Sequence, residues 1–283
     1  MHLWQYSFII SHKAFIERSN GMRALEISDD ESFANIVPLF ETNILPYGKL
    51  YLPSGAELVC FTRTRRRFDS SPQDRLFVDD IWPGSRVLAD FLISVAHTVV
   101  GKICLEFGAG GALPSVVAAS VGATRTIITD FPADNVIENI VAVITANRLH
   151  GAIAIGHIWG RENTEPLLDL GYINDSGERE GYDIVLLAEL LWKDTYQHHS
   201  KLLQSLSSCL NRKNGIAYMT FAHRPTQDSL DHTPDKDLEF FALAASDFGL
   251  ESTLIQVVSK YHDVDEISFI DVYLYSLQFR SSV

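Results

Sequence analysis

The chain has 283 residues, of which 46% are hydrophobic and 21% charged, a composition that indicates a globular protein and excludes a disordered chain or a coiled coil. Its 23 basic and 36 acidic side chains give a net charge of −13, and a field of that sign repels nucleic-acid backbones and anionic membrane surfaces. The three cysteines, Cys60, Cys104 and Cys209, are too few and too scattered for a disulfide framework or a cysteine-rich metal site.

The N-terminal stretch lacks the basic head, long apolar run and small-residue cleavage site of a secretory signal. No segment reaches the ~18 unbroken apolar residues of a membrane span. We therefore expect a cytoplasmic protein, with the nucleus as a second location, and neither nucleic acid nor a membrane as its partner.

Residues 1–78 are predicted to form an N-terminal extension. Within it, LPYGKLYLPSGAELVCFTR contains two strand-like runs around a Pro-Ser-Gly turn, a pattern that predicts a β-hairpin. The basic cluster of Arg63, Arg65, Arg66 and Arg67 follows. We interpret this cluster as a solvated loop, with an anion or partner site as the alternative.

Residues 79–283 are predicted to form the main domain, which begins with a helix after the Pro83-Gly84 turn. Five apolar runs then read as buried strands separated by helical patterns: KICLEF, TRTIITDF, AIAIGHIW, YDIVLLAEL and GIAYMTFAH. This alternation predicts a parallel sheet covered by helices. The last two strands, STLIQVVSKY and ISFIDVYLYSLQF, are joined by too few residues for a parallel crossover, so we expect an antiparallel hairpin. A polar loop over 165–181 is long enough to be mobile.

A glycine turn, Gly108-Ala109-Gly110-Gly111, lies between a buried strand and a helix. Bare glycine backbone lets a ligand approach, and the N–H groups of the following helix point at it. A dinucleotide fingerprint requires a third glycine at position 113, where this chain has Leu113. The turn therefore predicts a nucleotide-type site that does not bind a pyrophosphate cofactor.

Two acidic residues accompany this turn. Asp130 ends the next strand, about 20 residues after the glycines, the spacing at which an acid reaches ribose hydroxyls. Glu106 directly precedes the turn and adds a carboxylate that we expect to face the ligand. The cationic α-amino and sulfonium groups of S-adenosylmethionine suit these charges better than phosphates do, so we expect a methyl donor.

From Trp82 to the C-terminus, about 200 residues, the chain resembles the seven-strand S-adenosylmethionine-dependent methyltransferases of the lysine-methyltransferase-like group. The most similar branch is the fungal nicotinamide N-methyltransferase-like proteins, which include a methyltransferase of elongation factor 1A. The matching stretches are Ile81-Trp82-Pro83, LEFGAGGALPSVVAASVGA, Thr129-Asp130-Phe131-Pro132, His157-Ile158-Trp159-Gly160, LLAELLW and Phe221-Ala222-His223-Arg224-Pro225. The resemblance implies an α/β, Rossmann-like class I methyltransferase fold with a mostly parallel seven-stranded sheet.

The resemblance also implies which residues contact the methyl donor. In the family, the glycine turn binds the amino-acid end of the donor, the acid at Asp130 binds the ribose, and the position of Trp159 borders the adenine. The implied cofactor-binding residues are Trp82, Glu106, Gly108, Gly110, Asp130, Phe131, Trp159 and Ala188.

The chain departs from the family at one motif. The family's Asp-x-x-Tyr signature appears here as Glu189-Leu190-Leu191-Trp192, and a tryptophan cannot supply a phenol oxygen to the acceptor. We take Glu189, Trp192 and His223 as the candidate catalytic residues. His223 is either a general base or a hydrogen-bonded loop histidine. Adjacent histidines on a helix, such as His198 and His199, point in different directions, so we expect no metal site.

We expect methyl transfer to a nitrogen or oxygen of a small molecule, a natural product or a nicotinamide-like compound in secondary metabolism, because the phenol is missing and aromatic residues crowd the pocket edge. The alternative is a basic protein substrate, methylated at its N-terminus or a lysine, such as a translation elongation factor; the net charge and the His-Arg-Pro stretch favour it. A nicotinamide-dependent oxidoreductase is opposed by Leu113 and the closing hairpin. A catalytically silent binding module remains as a third hypothesis and predicts a blocked cofactor site.

Overall fold

The computed structural model describes residues 8–10, 13–18, 21–26, 44–52, 55, 57–63, 81–174, 176–223, 234–262 and 268–280. The strands are β1 (Phe8–Ile10), β2 (Lys13–Arg18), β3 (Gly21–Glu26), β4 (Ile44–Tyr51), β5 (Glu57–Arg63), β6 (Ile103–Phe107), β7 (Arg125–Asp130), β8 (Ala152–Gly156), β9 (Tyr172–Ile173), β10 (Arg179–Gly181), β11 (Ile184–Ala188), β12 (Ile216–Ala222), β13 (Leu250–His262) and β14 (Ser268–Phe279). The α-helices are α1 (Pro83–Ser94), α2 (Ala96–Val99), α3 (Leu113–Ser120), α4 (Asp134–Ala146), α5 (Glu165–Leu168), α6 (His199–Cys209) and α7 (Pro234–Phe248). Two 3₁₀ turns cover Arg161–Asn163 and Lys193–His198. None of the helices in these ranges is long and apolar enough to cross a membrane.

A seven-stranded sheet organises the main domain, in the order β13-β14-β12-β11-β6-β7-β8. The strands from β12 to β8 pair in parallel, whereas β14 is antiparallel to both β12 and β13. This confirms the predicted fold, a mostly parallel sheet with an antiparallel C-terminal hairpin.

The last strand of the chain is not at the edge of the sheet, because β14 inserts between β12 and β13. Its side chains explain the order: Val272, Leu274 and Leu277 are fully buried, whereas Leu254 and Val257 of β13 are exposed. The strand with more apolar surface to bury takes the interior position.

Two apolar clusters cover the two faces of the sheet. Alternate residues of one strand enter different clusters, as Cys104 and Leu105 of β6 do, because successive side chains of a strand point to opposite faces. Helices α1, α3 and α4 pack in the first cluster, and α6 and α7 in the second. All five residues of β11 are buried, as expected for a central parallel strand.

The predicted N-terminal hairpin is present as β4 and β5. It packs against the end of α4, where the Asn147 side chain accepts a hydrogen bond from the Val59 N–H (2.7 Å) and donates one to the Val59 carbonyl (2.6 Å). Leu52 and Leu58 are buried in the first cluster, so the hairpin shares the core of the main domain. Strands β1–β3 form a separate antiparallel sheet.

Two predictions for the N-terminal region fall outside the described residues. The proposed boundary between residues 78 and 79 and the arginines at 65–67 both lie there; of that basic cluster, only Arg63 is described, as the last residue of β5.

The polar segment 165–181 is not the long loop that the sequence suggests. It contains α5 and the two short strands β9 and β10, which pair as a hairpin. Arg179 forms ion pairs with Glu165 and Asp169, so charged residues that indicate a solvated loop instead connect β10 to α5.

Candidate functional site

The carboxyl ends of five parallel strands meet at one edge of the sheet. The chain continues from β6 to β7 and β8 on one side and places β11 and β12 on the other. In open α/β sheets, ligands bind at such a switch point, outside the carboxyl ends of the strands. Phe107 of β6 lies opposite Leu187 of β11, so the glycine turn and the residues after β11 flank this crevice.

The glycine turn needs backbone conformations that L residues rarely adopt. Gly108 and Gly110 have φ of 58° and 51°, in the left-handed region that glycine enters without a steric penalty. A Cβ at Gly108 would lie 2.5 Å from a methyl of Leu190, so a larger residue would require the Leu190 side chain to shift in addition to the strain of the positive φ. The Ala109 N–H donates to the Thr129 carbonyl (2.9 Å), which ties the turn to the end of β7.

Glu106 is fully buried at the base of the turn. Its Oε2 accepts a hydrogen bond from the Ser115 N–H (3.0 Å) in the first turn of α3, whereas Oε1 has no hydrogen-bond partner among the described residues. Burial raises the pKa of this carboxyl to about 8, against the hydrogen bonds from Ser115, which lower it. A pKa of about 8 favours the protonated form at neutral pH in the protein alone; that Glu106 faces the ligand stays a prediction.

Asp130 reaches across from the end of β7 to the glycine turn. Its Oδ2 accepts a hydrogen bond from the Gly110 N–H (2.7 Å), and its Oδ1 accepts one from the Phe131 N–H (2.6 Å). Burial raises the pKa of Asp130, while these two backbone hydrogen bonds lower it. The acid and the glycine turn, which the sequence analysis connected only by their spacing, are thus in direct contact in the folded chain.

The segment after β8 is joined to Asp130 and α6. The His157 N–H donates to the Asp130 carbonyl (2.7 Å), and its Nε2 lies 3.0 Å from Ser205 Oγ, which also accepts from the Gly160 N–H (2.8 Å). Burial lowers the pKa of His157 to about 4, so this histidine is a neutral structural group.

The large side chains of this region differ in exposure. Phe131 and Ile158 are each 51% exposed. Phe131 directly follows Asp130, and Ile158 directly follows His157, whose N–H donates to the Asp130 carbonyl. Trp159, which the sequence places at the adenine, is partly buried and packs against the second cluster. An exposed apolar pair beside the acid suits a flat ligand ring, and Ile158 is the member that the sequence analysis did not single out.

Glu189 holds the start of α1 against the end of β11. Its Oε1 accepts a hydrogen bond from the Gly84 N–H (2.8 Å), and the Gly84 carbonyl accepts one from Thr220 Oγ1 (3.0 Å). A Cβ at Gly84 would lie 2.7 Å from the Glu189 carboxyl group. Trp82 directly precedes this helix as its N-cap residue, and Ala188, the last residue of β11, is buried.

This arrangement changes the interpretation of Glu189. Its carboxylate caps the N-terminus of a helix, and the residue has φ of 57°, a strained conformation that sharply turns the chain after β11. It is a positioning group rather than an obvious proton acceptor.

Trp192 begins the 3₁₀ turn over Lys193–His198 and is partly buried. The backbone N–H of Trp192 donates to Thr195 Oγ1 (3.1 Å), and the Thr195 hydroxyl donates to the Leu190 carbonyl (2.7 Å). The hydroxyl of Thr195 therefore fixes the backbone from which the indole projects.

His223 follows the last residue of β12. Its Nδ1 lies 2.7 Å from Oδ2 of Asp237 on α7, a residue that the sequence analysis did not single out. The His223 side chain is 31% exposed and the Asp237 side chain only 4%. Arg224 and Pro225 of the same motif lie outside the described residues.

The adjacent histidines do not form a metal site. His199 is buried between the rings of Tyr196 and Phe240, and burial lowers its pKa to about 4. The part of the chain that the structure describes contains no group of three residues able to hold a metal ion; absence of a metal from the whole chain stays a prediction.

Curated proteins with similar sequences share one description. A Schizosaccharomyces pombe protein named protein N-terminal and lysine N-methyltransferase efm7 is 32% identical over 184 residues, which cover 63% of this chain and 68% of that protein. A Gibberella zeae protein of the same name is 32% identical over 162 residues, 53% of this chain and 60% of that protein. One from Eremothecium gossypii is 35% identical over 197 residues, 63% of this chain and 65% of that protein. The chain thus spans about three-fifths to two-thirds of the length of these relatives.

Solved structures establish the fold independently. One described as a SAM-dependent methyltransferase from Streptococcus mutans has a TM-score of 0.50 at 15% identity and covers 91% of this chain and 58% of that chain. Another, described as a methyltransferase complexed with SAH, has a TM-score of 0.51 at 15% identity and covers 89% of this chain and 58% of that chain. No protein-family model matches the sequence.

These relatives correct the expected acceptor. Their names refer to protein N-termini and lysines, so the expectation of a small-molecule acceptor, a natural product or a nicotinamide-like compound in secondary metabolism, is wrong. The inference failed because it depended on one missing phenol, at Trp192, and an aromatic ring also accepts an ammonium ion on its face.

Proposed function

Because the chain belongs to the class I S-adenosylmethionine-dependent methyltransferases, in the family of the fungal protein N-terminal and lysine N-methyltransferases, we propose that it methylates an amino nitrogen of a protein. The observation that carries this proposal is the Asp130 carboxylate, which contacts the glycine turn at the switch point of the sheet. The methyl donor when bound supplies an electrophilic methyl carbon on a sulfonium, so the chain itself has to align the acceptor and exclude water.

The residues of the crevice fit this donor. The buried Oε1 of Glu106 has no hydrogen-bond partner in the described part of the chain, and a buried polar atom of this kind is costly until a donor reaches it. An α-amino group over the glycine turn supplies such a donor. Asp130 binds the ribose, and the exposed Phe131 and Ile158 side chains flank the adenine.

The acceptor side comprises Trp192, in the segment after β11, and His223, which follows β12. The indole of Trp192 offers a π-face, which attracts an ammonium ion with about 0.5–2 kcal/mol. The net charge of −13 attracts a basic protein over longer distances. A translation elongation factor is the first substrate to test, because the resemblance of the sequence includes that branch of the family.

The test is methyl transfer from isotopically labelled S-adenosylmethionine to purified elongation factor 1A, followed by peptide mass spectrometry. A second sample with its N-terminus acetylated separates N-terminal from lysine methylation. We expect a mass gain of one or more methylene units on the protein and none in a small-molecule extract.

Two variants control this experiment. Asp130→Ala removes the proposed ribose contact and should abolish most of the transfer, whereas Asp247→Asn changes an exposed acid of α7 and should leave the rate unaltered. Label that enters the small-molecule fraction alone would contradict the proposal.

A further inference from the structure

A buried carboxylate fixes one ring nitrogen of His223 at the acceptor side of the crevice. Asp237 lies on α7 with its side chain 4% exposed, and its Oδ2 is 2.7 Å from His223 Nδ1. The imidazole is 31% exposed and follows β12, whose end lies beside the end of β11. The ring thus has one nitrogen held from the protein interior while part of its surface reaches the solvent.

Neighbouring rings hold the imidazole in this orientation. Phe221 and Tyr273 lie edge-on to it, with ring centroids 5.3 and 5.1 Å away. Among the described residues, Asp237 from α7 and Tyr273 from β14 are the titratable groups in contact with the His223 ring. A carboxylate that accepts from Nδ1–H selects the tautomer in which Nε2 carries a lone pair.

We propose that His223 is the general base that deprotonates the acceptor ammonium, and that Asp237 is the positioning residue that keeps its Nε2 free to do so. The inference rests on the proposed function, since it concerns an amino acceptor. It assigns a role to Asp237. It also distinguishes His223, as the base, from Glu189, whose carboxylate accepts a hydrogen bond from Gly84.

The chemistry requires such a base at neutral pH. Free α-amino groups have pKa values of ≈ 7.7–8.0 and lysines ≈ 10.4, so most acceptors arrive protonated and without a lone pair. The ammonium N–H proton passes to Nε2, and the N–H bonding pair stays on nitrogen. That pair forms the N–C bond as the C–S bond of the sulfonium breaks with its electrons left on sulfur. The imidazolium, stabilised by Asp237, then releases its proton to water.

The tautomer can be measured without any acceptor. In ¹⁵N NMR spectra of the full chain, the His223 signals are assigned by their loss in His223→Asn. We expect the Nδ1–H tautomer in the wild type at neutral pH and a substantial population of Nε2–H in Asp237→Asn, because an asparagine amide can donate to Nδ1. An Nε2–H tautomer in the wild type would overturn the proposal.

Kinetics on elongation factor 1A test the proton transfer itself. General bases contribute typically 10²–10⁴-fold, so we expect kcat to fall about 100-fold or more in His223→Asn and Asp237→Asn, with KM and the affinity for S-adenosylhomocysteine within about twofold. The His223→Asn rate should follow the ionisation of the acceptor amine as the pH rises, so its pH profile should differ from that of the wild type. His97→Gln and Asp247→Asn, both exposed sites, are the matched controls.

The outcomes separate the two proposals. Unchanged kcat and pH profile in both variants would overturn the general base while leaving the methyltransferase function intact. Absence of any protein methylation by the wild type would remove the proposed function, and the tautomer would still decide whether Asp237 orients His223. Retained affinity for S-adenosylhomocysteine shows that each variant is folded.

Discussion

The pKa values of the two carboxyl groups beside the glycine turn, Glu106 and Asp130, depend on the same competition between burial and backbone hydrogen bonds. Burial disfavours the charged form of both. Asp130 accepts from two backbone N–H groups, whereas Glu106 accepts from one and keeps Oε1 without a partner among the described residues. The charge on Glu106 is therefore the one that a bound ligand can change.

The stability of the protein should depend on pH through Glu106. The pKa of this carboxyl is raised from 4.5 to about 8 on folding, so between these values the folded protein retains a proton that the unfolded chain has lost. The contribution to the free energy of unfolding is then greatest below pH 4.5, declines as the pH rises to about 8, and is constant above it. Between pH 6 and pH 8 the melting temperature of Glu106→Gln should fall less than that of the wild type. Equal decreases would contradict the assignment of the raised pKa to Glu106.

Binding of S-adenosylhomocysteine should release a proton at pH 7. The α-amino group of the ligand favours the ionised form of Glu106, whose pKa of about 8 leaves it mostly protonated beforehand. Calorimetric titrations in buffers of different ionisation enthalpy measure the released protons. Glu106→Gln, which has no proton to lose, should show buffer-independent heats, and identical behaviour of wild type and variant would count against the contact.

Asp130→Ala should weaken cofactor binding more than folding. A hydrogen bond to a charged group contributes about 1.5–3 kcal/mol, which corresponds to roughly 10- to 150-fold in Kd. The Asp130 carboxylate also holds the Gly110 N–H, so Asp130→Asn, which retains an acceptor, is the control for turn geometry. A folded Asp130→Ala variant with wild-type affinity for S-adenosylhomocysteine would remove this residue from the ribose site.

At the scale of elements, the site depends on how α1 approaches β11 and β12. The Gly84 N–H donates a hydrogen bond to Glu189, and the Gly84 carbonyl accepts one from Thr220. This corner joins the start of α1 to the ends of β11 and β12, although α1 precedes the first strand of the sheet in sequence. Because helix N-termini attract carboxylates, the Glu189 carboxylate stabilises the N-terminus of α1.

Substitutions of Glu189 and Gly84 should distinguish a positioning role of Glu189 from a catalytic one. Glu189→Gln retains an acceptor for the Gly84 N–H, so we expect methyl transfer within about threefold of wild type, whereas loss of a true general base costs 10²–10⁴-fold. Gly84→Ala places a Cβ against the Glu189 carboxyl group and should destabilise the protein by about 1–3 kcal/mol, as expected when a buried N–H loses its partner.

Unfolding curves and transfer rates of both variants provide the measurement, with Ser85→Ala in the same turn as the control. A Glu189→Gln variant that is fully folded but inactive would restore Glu189 to the catalytic residues.

At the scale of the whole molecule, the net charge of −13 governs encounter with an acceptor. The excess of negative charges attracts a basic protein over distances limited by the Debye length, which is ≈ 10 Å at 0.1 M ionic strength and 3 Å at 1 M. Short-range contacts with the methyl donor inside the crevice are screened much less.

Salt should therefore act on the protein acceptor more than on the donor. Raising the ionic strength from 0.05 to about 0.5 M should increase KM for a basic protein acceptor several-fold, while the Kd of S-adenosylhomocysteine changes little. Methyl transfer and calorimetry over the same salt series check this difference. Parallel weakening of both would indicate a change in the fold rather than screened attraction between proteins.

The alternation of strands and helices predicted the fold because local periodicity records which face of each element is buried. The hairpin around the Pro-Ser-Gly turn and the antiparallel C-terminal pair followed from short connections, which restrict the geometry. The spacing of Asp130 from the glycine turn indicated that both lie at the ligand-binding edge, because parallel strands bring their carboxyl ends to a common edge; the hydrogen bond between Gly110 and Asp130 appears only in the structure.

The remaining features depend on contacts between residues far apart in sequence. Asp237 meets His223 and Glu189 meets Gly84 only because α7 and α1 pack beside the sheet edge, and no local pattern records such a contact. The sequence by itself thus determined the class of fold and the position of the glycine turn between β6 and α3, which arise from periodicity and short spacings. Only the tertiary structure decided that Glu106 is buried with a raised pKa, that Glu189 caps a helix and that His223 has a carboxylate partner, because burial and hydrogen-bond partners are properties of the packed chain.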